Sequence, residues 1–367
     1  GPTSPRADVV VDVEGVVVGN FQRGLGGFYI ESAPGETDAD PATSEGLFVA
    51  VPAPRDDVKR GLRVRVRGTV GEVGATDDGP ATTAIVRLTD LRVCGDGGEM
   101  PITASTAPPP DWERYEGMRV ELPDAVTVTG NDALLRFGYV DVSLAGRLYQ
   151  PTELHAPGPQ ARELAATNQR ARLRVDDARA SENPDRVWWL EQPVSNRRPW
   201  RVGTEVEGLR GVIDERFGRH TLQLDRAPAT VRHAARPEAP PEVPGDLHVA
   251  AFNLLNWFNG DGEGGGFPTA RGAGDREELL RQRTKLVAAI AAMGADVVAL
   301  MELENDGDGE ASASTELVAA LNRALGADGD YVQVPVPPQG LGTDEIRVGL
   351  IYRSGRVQPV GAPAVLD

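Results

Sequence analysis

Apolar and polar residues alternate along much of the first two thirds of the chain, and this period of two is typical of β-strands with one buried face. The clearest example is 62–67, where a leucine and two valines alternate with three arginines. Within residues 8–105, five segments of this kind are bounded by glycine-rich turns. Five short strands in one region predict a small closed barrel. The predicted strands are Val9–Val18, Gly27–Glu31, Gly46–Val51, Leu62–Val70 and Thr83–Val93.

Residues 106–236 are again strand-rich, with one helix predicted at 160–172. The spacing of glycines and valines in 203–213 loosely repeats that in 61–70, which is a weak indication of a second barrel-like unit. We therefore expect an all-β N-terminal part made of one or two OB-fold-like barrels. The predicted strands are Met118–Leu122, Ala125–Thr129, Tyr139–Leu144, Leu173–Asp176, Thr204–Ile213 and His220–Leu224.

A proline-rich segment separates this β part from a region of different character. Four prolines fall within 235–246, and we place an extended linker at 237–246. From 247 to 367 the pattern is strand, helix, strand, helix, strand, which predicts a sheet covered by helices. Asp275 followed by Glu278 predicts a helix start. The predicted elements are the strands Leu247–Asn253, Asp296–Leu303 and Ile346–Arg353 and the helices Asp275–Met293 and Ser314–Leu325.

Composition and charge limit the functional classes. The formal net charge is −17, so the overall field repels nucleic acid. A nucleic-acid-binding role would therefore need divalent cations or a local basic patch. The single cysteine, Cys94, cannot form a disulfide within the chain. No apolar run reaches the length of a membrane span, and we expect none.

Two polar residues that end apolar strands of the third region are the candidates for chemistry. Glu302 follows Asp-Val-Val-Ala-Leu-Met, and Asn253 follows Ala-Ala-Phe. A carboxylate in that position costs free energy unless it is paired or binds a metal. If the two strands are neighbours, both oxygens meet at one sheet edge, an arrangement that suits Mg²⁺. The alternatives are a solvent-exposed strand end for Glu302 and a turn-forming role for Asn253.

Several longer motifs surround these two residues in a specific order. They are Phe252-Asn-Leu-Leu-Asn256, Arg271-Gly-Ala, Gln282-Arg-x-Lys-Leu-Val-Ala-Ala-Ile290, Ala295-Asp-Val-Val-Ala-Leu-Met-Glu-Leu-Glu-Asn305 and Gly342-Thr-Asp-Glu-Ile-Arg-Val-Gly-Leu-Ile-Tyr352, with Arg114-Tyr-Glu-Gly-Met118 and Gly146-Arg-Leu-Tyr-Gln-Pro-Thr152 in the middle region. The set resembles the endonuclease/exonuclease/phosphatase superfamily, whose fold is DNase I-like. Within that superfamily it is most similar to the extracellular nucleases of the ExeM/NucH type.

The resemblance implies that 247–367 is the first part of an α+β DNase I-like sandwich that hydrolyses phosphodiester bonds of DNA, with RNA as the alternative. It implies Asn253 and Glu302 as catalytic and metal-binding residues, with Mg²⁺ or Mn²⁺ as cofactor and Ca²⁺ as the alternative. Glu304 competes with Glu302 for this role, and the spacing Asp-Val-Val-x-Leu-x-Glu favours Glu302. The implied nucleic-acid contacts are Arg271, Arg347, Asp344 and Asn256.

The family also has later catalytic residues, among them a histidine that contacts the scissile phosphate. They have no counterpart here, because the histidines all lie at or before His248. We therefore expect a truncated catalytic domain, a chain that is inactive alone, and a full-length protein that is an active, secreted nuclease. The expected location is extracellular or at the cell surface, and no protein partner is implied.

Three further patterns have both a functional and a structural interpretation. The loop Asp306-Gly-Asp-Gly-Glu310 is either a Ca²⁺ site or an acidic turn before a helix. A group of tryptophans and arginines either stacks nucleic-acid bases or forms a core with a charged surface. A basic run either follows a DNA backbone or is a solvated helix face. The group of tryptophans and arginines is Trp188, Trp189, Arg197, Arg198, Trp200 and Arg201. The basic run is Arg271, Arg276, Arg281, Arg283 and Lys285.

Two other functions stay open. The β domains could make the protein a non-catalytic module that binds nucleic acid or polysaccharide. Alternatively, the enzyme is a phosphatase or a phospholipid phosphodiesterase of the same superfamily. The presence of both Asn253 and Glu302 favours a working enzyme, since a decayed site would be free to lose them.

Overall fold

The computed structural model describes residues 4–38, 40–74, 81–191, 200–337 and 341–365. The chain divides into two structural units, Gly1–Ala235 and Arg236–Asp367. The boundary falls beside the proline-rich segment. The first unit holds a barrel and a large sheet, and the second holds a smaller sheet with two long helices.

Five strands form a closed barrel at the start of the first unit. Hydrogen-bonded neighbours follow the order β1-β2-β3-β5-β4, and β4 pairs back with β1. Only β3 and β5 are parallel. In β4, Val64 and Val66 point into the core while Arg65 and Arg67 point to solvent, as the alternating pattern predicts. The closed barrel is thus confirmed. Its strands are β1 (Val10–Phe21), β2 (Gly27–Glu31), β3 (Gly46–Ala50), β4 (Leu62–Val73) and β5 (Thr82–Asp96).

The rest of the first unit is one nine-stranded sheet in the order β14-β11-β8-β9-β10-β13-β12-β7-β6. The β-rich character expected of this region is thus confirmed, and the alternative of a second closed barrel is wrong. Alternation reveals which residues face a core, but it does not reveal which strands pair, and here β10 pairs in parallel with β13. The strands are β6 (Thr103–Ala104), β7 (Arg119–Leu122), β8 (Val126–Gly130), β9 (Val140–Ser143), β10 (Arg172–Asp176), β11 (Glu205–Glu207), β12 (Leu209–Arg216), β13 (Arg219–Leu224) and β14 (Thr230–Arg232), with helices α1 (Leu134–Phe137), α2 (Pro151–Leu154) and α3 (Pro159–Ala171).

One strand predicted over 204–213 is in fact two strands, β11 and β12. Gly208 lies between them with a φ of 68°, a left-handed conformation that glycine adopts without steric cost. The break lets β11 pair with β8 and β14, while β12 pairs with β7 and β13. A glycine inside an apolar run was the local signal for this break.

A buried polar network joins the barrel to the large sheet. The Tyr29 hydroxyl on β2 donates to Asp214 of β12 at 2.9 Å. Arg216 donates to the same carboxylate at 2.7 Å, and Gln223 donates at 3.1 Å. Asp214 has no exposed surface, so these donors compensate for its loss of hydration.

The second unit is a four-stranded sheet in the order β15-β16-β18-β17, in which only β15 and β16 are parallel. The Asp275 side chain caps α4 by accepting the Glu278 backbone N–H at 2.8 Å, as predicted. The remaining predicted strands and helices of this region are present. Their bounds are β15 (Val249–Trp257), α4 (Arg276–Met293), β16 (Val297–Glu304), α5 (Ala313–Leu325), β17 (Tyr331–Gln333) and β18 (Ile346–Arg353).

The two faces of this sheet differ in burial. On one face, Val298 and Leu300 of β16 and Ile351 of β18 pack into a core with residues of α4 and α5. On the other face, Val348 and Leu350 of β18 are exposed. Among the described residues, no helix combines the length and the apolar composition needed to cross a bilayer.

Candidate metal site at the ends of two parallel strands

The strands β15 and β16 both leave regular geometry at the same level of the sheet. Their register is regular from Val249 to Asn253 and then shifts before Trp257. On β16, the register against β18 shifts between Leu300 and Leu303. Asn256 has a φ of 52° and Glu302 a φ of 57°, both in the left-handed region. Such a conformation is costly for a residue with a side chain, and it persists only where surrounding contacts hold it. The two irregularities lie next to each other, and the backbone N–H of Asn256 meets the Glu302 carboxylate there.

Three hydrogen bonds fix Glu302 and Asn253 relative to each other. The side-chain amide of Asn253 donates to Oε1 of Glu302 at 2.7 Å. The backbone N–H of Asn256 donates to Oε2 at 3.0 Å. The side-chain oxygen of Asn253 accepts the Leu255 backbone N–H at 2.7 Å. The predicted neighbours are thus in direct contact.

Gln282 of α4 supports the irregular end of β15. Its side-chain amide donates to the carbonyl oxygens of Leu254 at 3.0 Å and Leu255 at 2.8 Å. These carbonyls belong to the segment that leaves regular pairing, so the glutamine satisfies groups that the ladder does not. Gln282 was absent from the predicted site, although it opens one of the motifs; its position on a helix face gave no sign that it reaches the strand end.

The arrangement fits a divalent cation with one carboxylate ligand. Glu302 is half-buried, and each of its oxygens accepts one hydrogen bond and keeps one lone-pair direction for another partner. Mg²⁺ commonly uses one or two carboxylates and keeps several waters. The oxygen of Asn253 accepts the Leu255 N–H and, like each Glu302 oxygen, keeps one lone-pair direction. In this geometry Asn253 positions Glu302, and its expected role as a second ligand stays a prediction.

Glu304 has a different environment from Glu302. Its Oε2 accepts the Asn259 backbone N–H at 3.0 Å. Burial raises the pKa of Glu304 above its ordinary value, and the neighbouring Asp306 adds to that shift. Glu304 thus holds the chain after β15 in place, and the choice of Glu302 over Glu304 stays a prediction.

The four residues expected to contact nucleic acid have different positions. Arg271 and Asp344 are exposed and form an ion pair at 2.9 Å. Asn256 contributes its backbone N–H to Glu302. Arg347 is 7% exposed and donates to the carbonyl oxygens of Glu304 and Gly307 and to Ser314. A nucleic-acid contact does not fit Arg347, because its guanidinium is used inside the unit.

The acidic loop 306–310 holds backbone in place. Asp306 accepts the Ala313 N–H at 2.7 Å at the start of α5, and Asp308 accepts the Val336 N–H at 2.9 Å. These contacts agree with an acidic turn before a helix, and they do not converge as calcium ligands would.

Several residues of the other two candidate nucleic-acid groups are paired or buried. In the basic run, Arg281 lies 3.5 Å from Glu277, and Arg283 lies 2.9 Å from Glu316. Trp189 and Trp200 are buried in the core of the large sheet. That burial contradicts base stacking by these two rings. Arg197 and Arg198 lie outside the described residues.

Comparisons with known proteins give no match: no protein-family model, no curated protein and no solved structure matches the chain. Fold family and function consequently rest on the motifs and on the geometry above.

Proposed function

We propose that residues 247–367 belong to a metal-dependent phosphodiesterase domain of the DNase I-like superfamily that acts on DNA, with RNA as the alternative substrate. The observation that carries this proposal is Glu302, a half-buried carboxylate in a left-handed bulge whose two oxygens are held by Asn253 and Asn256. Such strain is typical of residues that are held for function.

The chemistry of this site follows from its donors. A bound Mg²⁺ or Mn²⁺ would neutralise charge on the phosphate and polarise a phosphoryl oxygen. Glu302 would hold the ion, Asn253 and the Asn256 N–H would keep the carboxylate oriented, and Gln282 would hold the strand end beneath them. These residues position an ion but supply no base for water. We accordingly propose that this chain alone does not cleave DNA.

The uncovered sheet face supports a sandwich. Val348 and Leu350 of β18 are 65% and 45% exposed, and Val249 of β15, on the far side of β16, is 68% exposed. A row of exposed apolar side chains on one sheet face is typical of a surface that a second sheet covers. This face fits the first part of a DNase I-like sandwich.

We further propose that the full-length nuclease acts outside the cell or at its surface.

For the N-terminal barrel we propose the OB fold. Its support is the strand order β1-β2-β3-β5-β4 with closure between β1 and β4. OB-type barrels use the loop after the first strand in ligand binding. Here that loop, 22–26, borders a cleft of about 1060 Å³.

This cleft favours a second candidate function, a binding module for nucleic acid or another anionic polymer. Arg23, Lys59 and Arg179 line it, are exposed and form no salt bridge within the described part of the chain. Trp188 adds an aromatic surface. Exposed cations beside an aromatic ring are the elements that single-stranded nucleic-acid sites use. Unlike the other tryptophans of its group, Trp188 is only partly buried.

Plasmid cleavage in Mg²⁺ or Mn²⁺ tests the enzyme proposal. It compares this chain, the full-length gene product that contains it, and the Glu302→Gln variant of each. Cleavage by the full-length product alone, lost in the variant, is the expected result. Cleavage that survives Glu302→Gln overturns the site. Phosphomonoester and phospholipid substrates tested in parallel distinguish a nuclease from the other members of the superfamily.

Oligonucleotide anisotropy tests the binding module. Arg23→Ala and Lys59→Ala should weaken binding and reduce its salt dependence, while Arg162→Ala on α3 should not. Binding without any cleavage by the full-length product would make the module the function.

A further inference from the structure

Three side chains that metal ions commonly use meet in the first unit, away from Glu302 in the sequence. They are Glu113, Glu215 and His220, and one ligand atom from each lies within 4.8 Å of the others. The sequence motifs did not indicate this group, because Glu113 and Glu215 are 102 residues apart in the chain.

Local geometry brings these residues together. Glu215 and His220 are cross-strand partners in the β12–β13 hairpin. The hairpin closes through Phe217 and Gly218, which have φ values of 56° and 67°, as a two-residue turn between twisted strands requires. Glu113 begins a short 3-10 helix, Glu113–Tyr115. The chain after that helix is tied to β12, because Gly117 donates to the Ile213 carbonyl at 2.7 Å.

Within the described part of the chain, hydrogen bonds do not fully compensate the buried carboxylate of Glu215 for its loss of hydration. Glu215 is 4% exposed, and its Oε2 receives no hydrogen bond from the described residues. Glu215 and Glu113 place ligand oxygens within 4.8 Å of each other, and two neighbouring carboxylates repel each other unless a positive charge lies between them. A cation at this point would stabilise both carboxylates.

The histidine has a matching orientation. Its Nδ1 lies 3.5 Å from Oε1 of Glu215 but makes no hydrogen bond among the described residues. Its Nε2 lies 3.8 Å from the carboxylate of Asp111. Histidines that bind a metal through one ring nitrogen generally direct the other N–H to a carboxylate or carbonyl, which fixes the tautomer. Asp111 is placed for that role.

We propose that Glu113, Glu215 and His220 bind a divalent transition-metal ion, and that Zn²⁺ is the ion they fit best. One imidazole and two carboxylates are a mixed nitrogen and oxygen donor set, which suits Zn²⁺ rather than the all-oxygen surroundings that Mg²⁺ and Ca²⁺ prefer. The ion links the 3-10 helix to the hairpin.

The proposed zinc site borders an open cavity. Glu215 and His220 also line a cavity of about 640 Å³, to which Arg172, Arg174 and Arg219 contribute. Three protein ligands leave a fourth position for water or for an exchangeable ligand. The arginines give that ligand a chemical class: a small anion, such as a phosphate or a carboxylate.

Zinc binding by the tag-free, chelator-treated chain tests the proposal, measured by equilibrium dialysis with elemental analysis. We expect one Zn²⁺ per chain, with affinity at least tenfold weaker in His220→Gln and in Glu215→Gln. All of these variants carry Glu302→Gln as well, so that the proposed nuclease centre contributes no zinc. His155→Gln is the matched control and should keep the site. Unchanged zinc affinity in His220→Gln overturns the proposal.

A spectroscopic measurement on the unmutated ligands covers the case in which the Glu215→Gln variant does not fold. X-ray absorption of the Glu302→Gln chain with one equivalent of Zn²⁺ should show nitrogen and oxygen ligands with the scattering pattern of one imidazole. A spectrum without imidazole scattering places the ion elsewhere and ends the proposal.

Discussion

The side-chain amide of Asn253 donates a 2.7 Å hydrogen bond to Oε1 of Glu302, across two parallel neighbouring strands. The side-chain oxygen of the same asparagine accepts the Leu255 N–H, so both ends of its amide make a hydrogen bond. The amide thereby fixes the direction in which Glu302 presents its remaining lone pairs.

Removing the Asn253 amide should weaken metal binding without abolishing the fold. In Asn253→Ala, Glu302 keeps only the Asn256 N–H and gains rotational freedom. Loss of a group that orients a metal ligand typically costs about 10- to 100-fold in metal affinity or activity. Mn²⁺ binding followed by electron paramagnetic resonance measures this, with Asn168→Ala on α3 as control. Equal affinity in Asn253→Ala and the unaltered chain would contradict the positioning role.

Glu302 and Glu304 form a matched pair two residues apart on one strand. Glu302→Gln should lose Mn²⁺ binding, because an amide is a much weaker ligand than a carboxylate. Glu304→Gln should change the Mn²⁺ affinity by no more than about twofold, because the glutamine oxygen still accepts the Asn259 N–H and keeps the local backbone in place. Titration of both variants by the same method decides which glutamate binds the ion. The reverse pattern would assign the ion to Glu304.

Local patterns were sufficient for much of this fold. Alternation of valine and arginine predicted β4, and Asp275 with Glu278 predicted the start of α4, because each signal is contained within a few residues. Glu302 was found for the same reason: a carboxylate that ends an apolar strand is visible in seven consecutive residues.

Contacts between residues that are far apart in the sequence could not be predicted from local patterns. The open sheet excludes the alternative of a second barrel, because β10 pairs with β9 on one side and with β13, not β11, on the other. Gln282 reaches the end of β15 across 27 and 28 residues, and Glu113 meets Glu215 only through the register of β12. Contacts of this kind depend on strand order, which hydrophobic periodicity does not encode.

The carboxyl group of Glu31 should make stability depend on pH. Glu31 is 5% exposed, accepts the Arg119 backbone N–H, and has its pKa raised by burial from 4.5 to about 7. Between these pH values the folded state keeps a proton that the unfolded chain releases. Its stabilising contribution is therefore fully present below pH 4.5 and is lost as the pH rises to about 7.

Glu31→Gln removes this titration and keeps an oxygen for the Arg119 N–H. From pH 4.5 to pH 8, the free energy of unfolding of the unaltered chain should fall relative to that of Glu31→Gln by on the order of 3 kcal/mol. Urea unfolding at several pH values measures it. Glu163→Gln, at an exposed position of α3, should show no such change. A parallel pH profile for Glu31→Gln and the unaltered chain would rule out the buried proton.

The network around Asp214 should hold the barrel and the large sheet together. Tyr29→Phe deletes one donor to a buried carboxylate, which costs about 1.5–3 kcal/mol for a hydrogen bond to a charged group. Asp214→Ala leaves Arg216 without its 2.7 Å partner and should cost about 3–5 kcal/mol. Chemical denaturation with a probe in each part measures both losses. If Asp214→Ala costs less than Tyr29→Phe, the carboxylate is not the centre of the network.

The exposed side of β18 should tolerate charge, and the buried side should not. Val348 is 65% exposed and Ile351, three residues on, is 1% exposed. Val348→Lys places the ammonium in water, so the free energy of unfolding should change by no more than about 0.5 kcal/mol, and binding of a hydrophobic dye should fall. Ile351→Lys buries a charge against α4 and α5 and should cost several kcal/mol or prevent folding. Thermal melts and dye titration of the two variants measure the contrast. A loss of stability in Val348→Lys as large as that in Ile351→Lys would mean that this face is already covered in the folded chain, and it would remove the support that the uncovered face gives to a two-sheet sandwich.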